Sequence, residues 1–295
     1  MTRRIVLNGV GGATSWDLTA GPKAWAAPGP AFYGSGPAAI STTVAAQLPG
    51  ERVRFARHTS RDVVLPINII GTSELDVETT LNALARSLDP TKGDVTLYVT
   101  RPDSSERGLR ARYIGGLEGL AMEWCGAMEI RGQIGLRAHD PFWFSDAAPF
   151  TFDPSSGAVP ALTLWDDPAV AWDDPLVPFD GFGSDTTLST VTNAGDVDTW
   201  PTYTVTGPCD VTWLNLTTGE QFEVLGLVSG DTLVIDTTPG TRTVKINGLP
   251  AYGRLSPGST LLRLVRGANT IAVRLAGATG ATSAEMAYSP RYLTC

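Results

Sequence analysis

His58 and His139 are the only imidazoles in the 295-residue chain, so a Ser-His-Asp relay or a histidine-based metal site would have to be built on one of them. Neither stands near a G-x-S-x-G turn, and His139, followed by Asp140-Pro141-Phe142-Trp143, reads as the residue that closes a strand. The paired carboxylates Asp166-Asp167 and Asp173-Asp174 suggest calcium binding or glycosidase acid–base work. Calcium asks for about six to eight oxygen ligands in a turning loop, and no EF-hand spacing is present. A glycosidase needs two carboxylates about 5–10 Å apart across a cleft, and adjacent aspartates are more simply a solvated turn. Gly9-Val10-Gly11-Gly12 follows a strand, but Thr14 occupies the place of the third glycine of a dinucleotide loop, and no Gly-Lys-Ser/Thr phosphate loop occurs. Cys125, Cys209 and Cys295 are scattered and odd in number, which argues against a disulfide framework and a zinc knuckle. The expectation is a protein without catalytic residues, metal or cofactor, whose work is structural or binding.

Two sets of residues are then candidates for contact with other molecules. Arg52, Arg54, Arg57 and Arg61 form the one basic cluster. If Val53 and Phe55 face inward on a strand, Arg52 and Arg54 project outward together. A nucleic-acid platform would interleave aromatic residues, which are missing, so the cluster reads as an intersubunit or surface ion-pairing element. Trp165 and Trp172 belong to a duplicated Trp-Asp-Asp-Pro and read as interface residues of an extended arm, since tryptophans are enriched at interfaces. The alternative from a different class is a saccharide-binding module using Trp200, Trp213 or Tyr252 as a sugar platform. Trp213 alternates in step with Val211, which favours the core for that residue.

The elements that would position these residues are mostly strands. Arg4–Gly9, Arg61–Ile70, Asp94–Thr100, Gly108–Ile114 and Met128–Ala138 carry strand patterns; Pro66 argues for an edge or a bulge, and a slip near Gly132 suggests a second bulge. One helix interrupts them. Ser73 caps it, Glu74 and Asp76 favour its positive end, Val77, Leu81, Leu84 and Leu88 repeat at helical spacing, and Asp89-Pro90 ends it. From Thr187 onward short strands return at close spacing, with Asn247-Gly248 the strongest turn pair, as in an antiparallel β-sandwich. Charge marks the division: residues 1–145 hold 15 basic and 14 acidic side chains, residues 146–295 hold 7 and 16. No run of 18 apolar residues occurs, so neither a membrane span nor a secretory signal is expected. The expected fold is mainly β: a β-sandwich-like domain with one amphipathic helix over 1–143, a Pro/Asp-rich linker or arm over 144–186, and an antiparallel β-sandwich over 187–295.

The order of these features resembles the distal tail protein family of long-tailed, non-contractile phages, the siphovirus-type tail components. The resemblance is carried by Ile5-Val6-Leu7-Asn8-Gly9, by Arg61 to Gly71, by Leu81 to Pro90, by Gly93-Asp94-Val95-Thr96-Leu97 and by Ala138-His139-Asp140-Pro141-Phe142-Trp143. It continues through Asn193-Ala194-Gly195-Asp196, Trp200-Pro201-Thr202-Tyr203, Asn215 to Gly219, Gly230 to Asp236 and Leu264 to Ile271. It implies a homohexameric ring at the tail tip, formed by the N-terminal domain and joining the tail tube to the baseplate or receptor-binding fibres. It also implies an outer galectin-like C-terminal domain, which in some members contacts host saccharide. The tail tube protein and the hub or fibre proteins are the implied partners, DNA passing through the lumen without specific binding. The chain would be assembled in the host cytoplasm and reside in the virion. Its acidic character suits a channel for DNA, which carries about one negative charge per 1.7 Å.

Overall fold

The computed structural model describes residues 4–12, 14–26, 33–44, 49–118, 128–146, 149–152 and 186–295. They form two compact units, Met1–Ser145 with Tyr292–Cys295 and Asp146–Arg291. The fold class is the expected one, mainly β, and among the described residues there is a single α-helix. No helix among them is long and apolar enough to cross a membrane.

The first unit contains β1 (Arg4–Asn8), β2 (Ser15–Asp17), β3 (Ala24–Ala26), β4 (Ala38–Val44), β5 (Glu51–His58), β6 (Arg61–Ile70), α1 (Glu74–Ser87), β7 (Val95–Thr100), β8 (Glu106–Gly115), β9 (Glu129–Ala138) and β10 (Trp143–Phe144). The sheet runs β2-β1-β7-β8-β9-β6-β3 with every pairing antiparallel, while β4 and β5 form a separate two-stranded sheet. Alternation decides what is buried. Leu7, Val63, Leu65, Leu97, Leu109 and Leu136 point to one core and their neighbours point away. The helix covers that core with Val77, Leu84 and Leu88. Its Ser73 hydroxyl accepts from the Asp76 N–H, and Asp76 in turn accepts from the Thr72 N–H and pairs with Lys23.

Pro66 sits where β6 has a locally open side, as its residue type suggests: among the described residues β3 covers only Ile67–Ile69 of β6, and the register with β9 is unbroken, so no bulge marks it. One expectation needs correction: β9 does not slip at Gly132. Its inward positions run evenly through Ile130, Gly132, Ile134, Leu136 and Ala138, one of them simply lacking a side chain. The bulge lies instead in β8, between Tyr113 and Gly115. Gly108 is required for its size, since a Cβ there would stand 2.5 Å from the ring of Phe144.

The second unit contains β11 (Phe150–Phe152), β12 (Thr186–Asn193), β13 (Thr202–Thr206), β14 (Cys209–Asn215), β15 (Glu220–Leu227), β16 (Thr232–Asp236), β17 (Thr243–Ile246), β18 (Leu249–Pro250), β19 (Gly267–Ala276) and β20 (Ser283–Ala287). A six-stranded sheet β11-β20-β13-β16-β17-β18 and a four-stranded sheet β12-β19-β14-β15 share one core. At its centre Tyr203, Trp213 and Phe222 meet with ring centroids 4.6–6.2 Å apart, and Phe152 adds an edge contact to Trp213 at 4.8 Å. Thus β11, within the stretch expected to be a linker, is a strand of this sheet, because Phe152 is apolar and fully buried. The turn Asn247-Gly248 takes the left-handed backbone its residues favour, with φ 52° and 79°. The last strand, β21 (Arg291–Tyr292), pairs with β10 in the sheet of the first unit.

Candidate assembly surface

In the hairpin of β4 and β5 no residue is buried: β5 is exposed throughout, and β4 alternates exposed side chains with half-buried Ala39, Ser41 and Thr43. Ile40, Val44, Val53 and Phe55 are 62%, 67%, 64% and 57% exposed. The expectation that Val53 and Phe55 face inward is therefore overturned, for nothing in the chain's described residues covers them. Register explains how the two faces differ. Ile40 opposes Ala56, Thr42 opposes Val53 and Val44 opposes Glu51, so these side chains share one face. Ala39–Arg57, Ser41–Phe55 and Thr43–Arg52 share the other. The register shifts between Ser41 and Thr42, leaving Arg54 as the extra residue on β5. One face is thus mainly apolar, and the other carries two arginines with an aromatic ring between them.

Arg61 does not belong to that cluster. The chain leaves the hairpin at Thr59, whose N–H donates to Pro37 O at 2.9 Å. Arg61 then takes the inward phase of β6, in line with Val63 and Leu65, and is buried. Its guanidinium lies 5.8 Å from the Trp143 ring centroid and donates to Leu293 O at 3.0 Å. Burial lowers its pKa from the ordinary arginine value. The hairpin root is gripped by the same neighbours. Cys295 N–H donates to Tyr33 O at 3.1 Å, the His58 ring meets Phe142 edge-on at 5.1 Å, and Arg107 donates to Thr294 O while stacking 3.6 Å over Tyr292. Arg52, Arg54 and Arg57 are therefore together and exposed, and Arg61 is a buried anchor beside their base. Trp165 and Trp172 lie outside the described residues, as do Asp166, Asp167, Asp173 and Asp174. Sequence reasoning missed β4; its signal is the β-branched run Ile40-Ser41-Thr42-Thr43-Val44.

The remaining described candidates are placed as follows. Among the described residues no group of three His, Cys, Asp or Glu side chains could hold a metal ion. Burial, with Asp210 beside it, pushes the Cys209 thiol up to about 11, so it is protonated at neutral pH. Of the three aromatics considered for sugar, Trp213 is fully buried and Trp200 has the Arg291 guanidinium 4.9 Å over its ring; Tyr252 is exposed and donates its hydroxyl to Arg242 O. The polar residues buried in the second unit are braces. Asn193 donates to Leu264 O at 3.2 Å, Asn215 donates to Arg263 O at 2.8 Å, and Asn269 accepts from the Val265 N–H at 3.0 Å and donates to Val265 O at 2.8 Å. Three asparagines thereby hold one irregular segment, 263–265, by its backbone.

The described residues thus define a class of all-antiparallel β protein, two β-units and an open hairpin. Residues 194–292 match the family described as siphovirus-type tail component, C-terminal domain. The fold as a whole is similar to that of SPP1 Dit (gp 19.1), described as a paradigm of the hub adsorption apparatus in phages infecting Gram-positive hosts. The TM-score is 0.65 at 14% identity, over 99% of this chain and 100% of that one. It is also similar to a chain of the phage P2 baseplate in its activated conformation with Ca, with a TM-score of 0.58 at 11% identity over 98% of each chain. No curated protein matches the sequence significantly.

Proposed function

We propose that the chain is the structural subunit of a ring at the tail tip of a long-tailed, non-contractile phage. Six copies close through the N-terminal unit, and the ring joins the tail tube to the baseplate or fibres, with DNA passing through its lumen. Residues 1–143 form the ring, 144–186 an arm that lends β11 to the outer sheet, and 187–295 the rest of the outer galectin-like domain. The ring is assembled in the host cytoplasm and stays in the virion at the tail tip.

The observation that carries this reading is the bare hairpin. An isolated two-stranded sheet is marginal in water, and this one leaves its apolar side chains uncovered. A head-to-tail ring covers such an element on every subunit with the same neighbouring surface. Edge strands fit the same picture, since β2 and β3 end the sheet and have three residues each, too short to recruit further strands by accident.

The test is the mass of the purified chain by light scattering across a concentration series. Association toward six times the 31.2 kDa of one chain is the expected result. A mass that stays at one chain at every concentration rejects self-driven ring closure. Residues 1–143 alone should still self-associate, at a higher concentration than the full chain, and a strictly monomeric fragment beside an associating full chain rejects their role.

A further inference from the structure

The basic face of the hairpin has a ligand-like segment to match it within the same sequence. Residues 146–185 contain eight aspartates and no Lys, Arg or Glu, so their charge of -8 equals that of the whole chain; elsewhere 22 basic residues balance 22 acidic ones. The segment also holds the two Trp-Asp-Asp-Pro units, seven residues apart at Trp165 and Trp172. On the hairpin, Arg52 and Arg57 share one face with Phe55 between them, and all three are exposed. Among the described residues neither arginine makes an ion pair.

The geometry points to the basic face of β5 as the docking site for the acidic tryptophan segment of a second copy of this chain. The inference rests on the self-assembly reading above and names the contact. The dimensions agree: Arg52 and Arg57 are about 17 Å apart along a strand, and seven extended residues span at most about 25 Å. One aspartate pair can therefore reach each arginine. A planar guanidinium takes both a carboxylate and an indole face, and Phe55 offers a ring to either tryptophan. The apolar face, with Ile40 and Val53, stays available for the body of the neighbour. Charge complementarity of this kind sets orientation and speeds encounter, and it weakens as salt is raised.

The test uses four full-length chains: wild type, Arg52→Glu with Arg57→Glu, Asp166→Lys with Asp173→Lys, and the chain with all four changes. Light scattering gives the association midpoint of each at low and high salt. Each double variant is expected to shift that midpoint at least tenfold upward at low salt, and the fourfold variant to return close to wild type. Mixing the two double variants is expected to restore association, because each hairpin then meets a complementary segment only on the other chain. Aspartate variants that associate like wild type, or a fourfold variant no better than the arginine double, overturn the contact. Rescue in the fourfold chain without rescue on mixing overturns its intermolecular character. Open oligomers with the full charge-swap pattern would reject the closed ring while keeping the docking contact. A wild type that never associates, with no association on mixing, rejects docking as well.

Discussion

Two antiparallel hairpins of similar size stand at opposite extremes in this molecule. Strands β14 and β15 turn Val211, Trp213, Phe222 and Val224 into a core that leaves none of them accessible. Strands β4 and β5 also carry four large apolar side chains and also contain a register shift, yet all four are solvent-facing. Burying such side chains stabilises by roughly 1.5–3 kcal/mol each. The first hairpin realises that gain within its own unit, and the second, whose four side chains are about three-fifths exposed, leaves on the order of 4–8 kcal/mol unrealised. Local sequence makes a hairpin; what covers it decides whether it is core or contact surface.

The comparison can be broken most sharply at Trp213. Trp213→Ala should cost about 3–5 kcal/mol in chemical denaturation of the full chain, and a loss under about 1 kcal/mol would mean that β14 and β15 are not held by this core. Asn215→Ala should cost about 2–3 kcal/mol, because the Thr217 N–H and Arg263 O lose their buried partner; a thermal melt of the second unit reads it. Tyr203→Phe should be neutral or stabilising by up to about 1 kcal/mol, since the Tyr203 hydroxyl is buried without a hydrogen-bond partner. A clear destabilisation in the same melt would show an ordered water there.

Smaller still is the exposed pair of Asp62 with Arg137, bonded at 2.6 and 2.8 Å. The arginine's hydrogen bonds, against partial desolvation, hold the Asp62 carboxyl below its ordinary value. Its contribution is therefore complete above the unfolded carboxylate range near pH 4 and is lost as pH falls through the lower folded value. With both side chains about half exposed, Asp62→Asn should cost under about 1 kcal/mol at pH 7, and the difference from wild type should vanish in strong acid. Smallest of all for stability is Ile40→Asp with Val53→Asp, within about 0.5 kcal/mol in unfolding. The same change should raise the concentration needed for self-association at least tenfold; a variant that associates unchanged would remove the hairpin from the interface.

Much of the fold is legible in the chain because short-range rules decide it. Ser73 and the spacing of Val77, Leu84 and Leu88 mark α1, and Asn247-Gly248 marks the turn between β17 (Thr243–Ile246) and β18 (Leu249–Pro250). The illegible parts depend on distant partners. Arg61 follows Arg57 at a spacing that suggests one cluster, but the chain turns at Thr59 and β6 imposes a new inward phase. Strand β4 shows no apolar alternation, because neither of its faces meets a core in this chain. Strand β11 is three residues beside a proline-rich stretch, recognisable only through the burial of Phe152 against Trp213.

The grip of residues 292–295 on the hairpin root has a temporal consequence. These residues follow the whole second unit in chain order, so a ribosome that has finished residue 145 must still add nearly 150 more before Leu293 can reach Arg61 and Cys295 can reach Tyr33. At about 5–20 residues per second that interval is roughly ten to thirty seconds. During it the first unit can collapse around its core while the root of its contact surface lacks these bonds. Assembly competence is thereby tied to the synthesis of residues 292–295, a form of timing written into topology. Chains halted at residue 290 should accordingly show faster protease cleavage near Tyr33 and Thr59 than chains that include residues 292–295, with equal protection of β7 (Val95–Thr100); equal cleavage at the root would show that residues 292–295 do not time it.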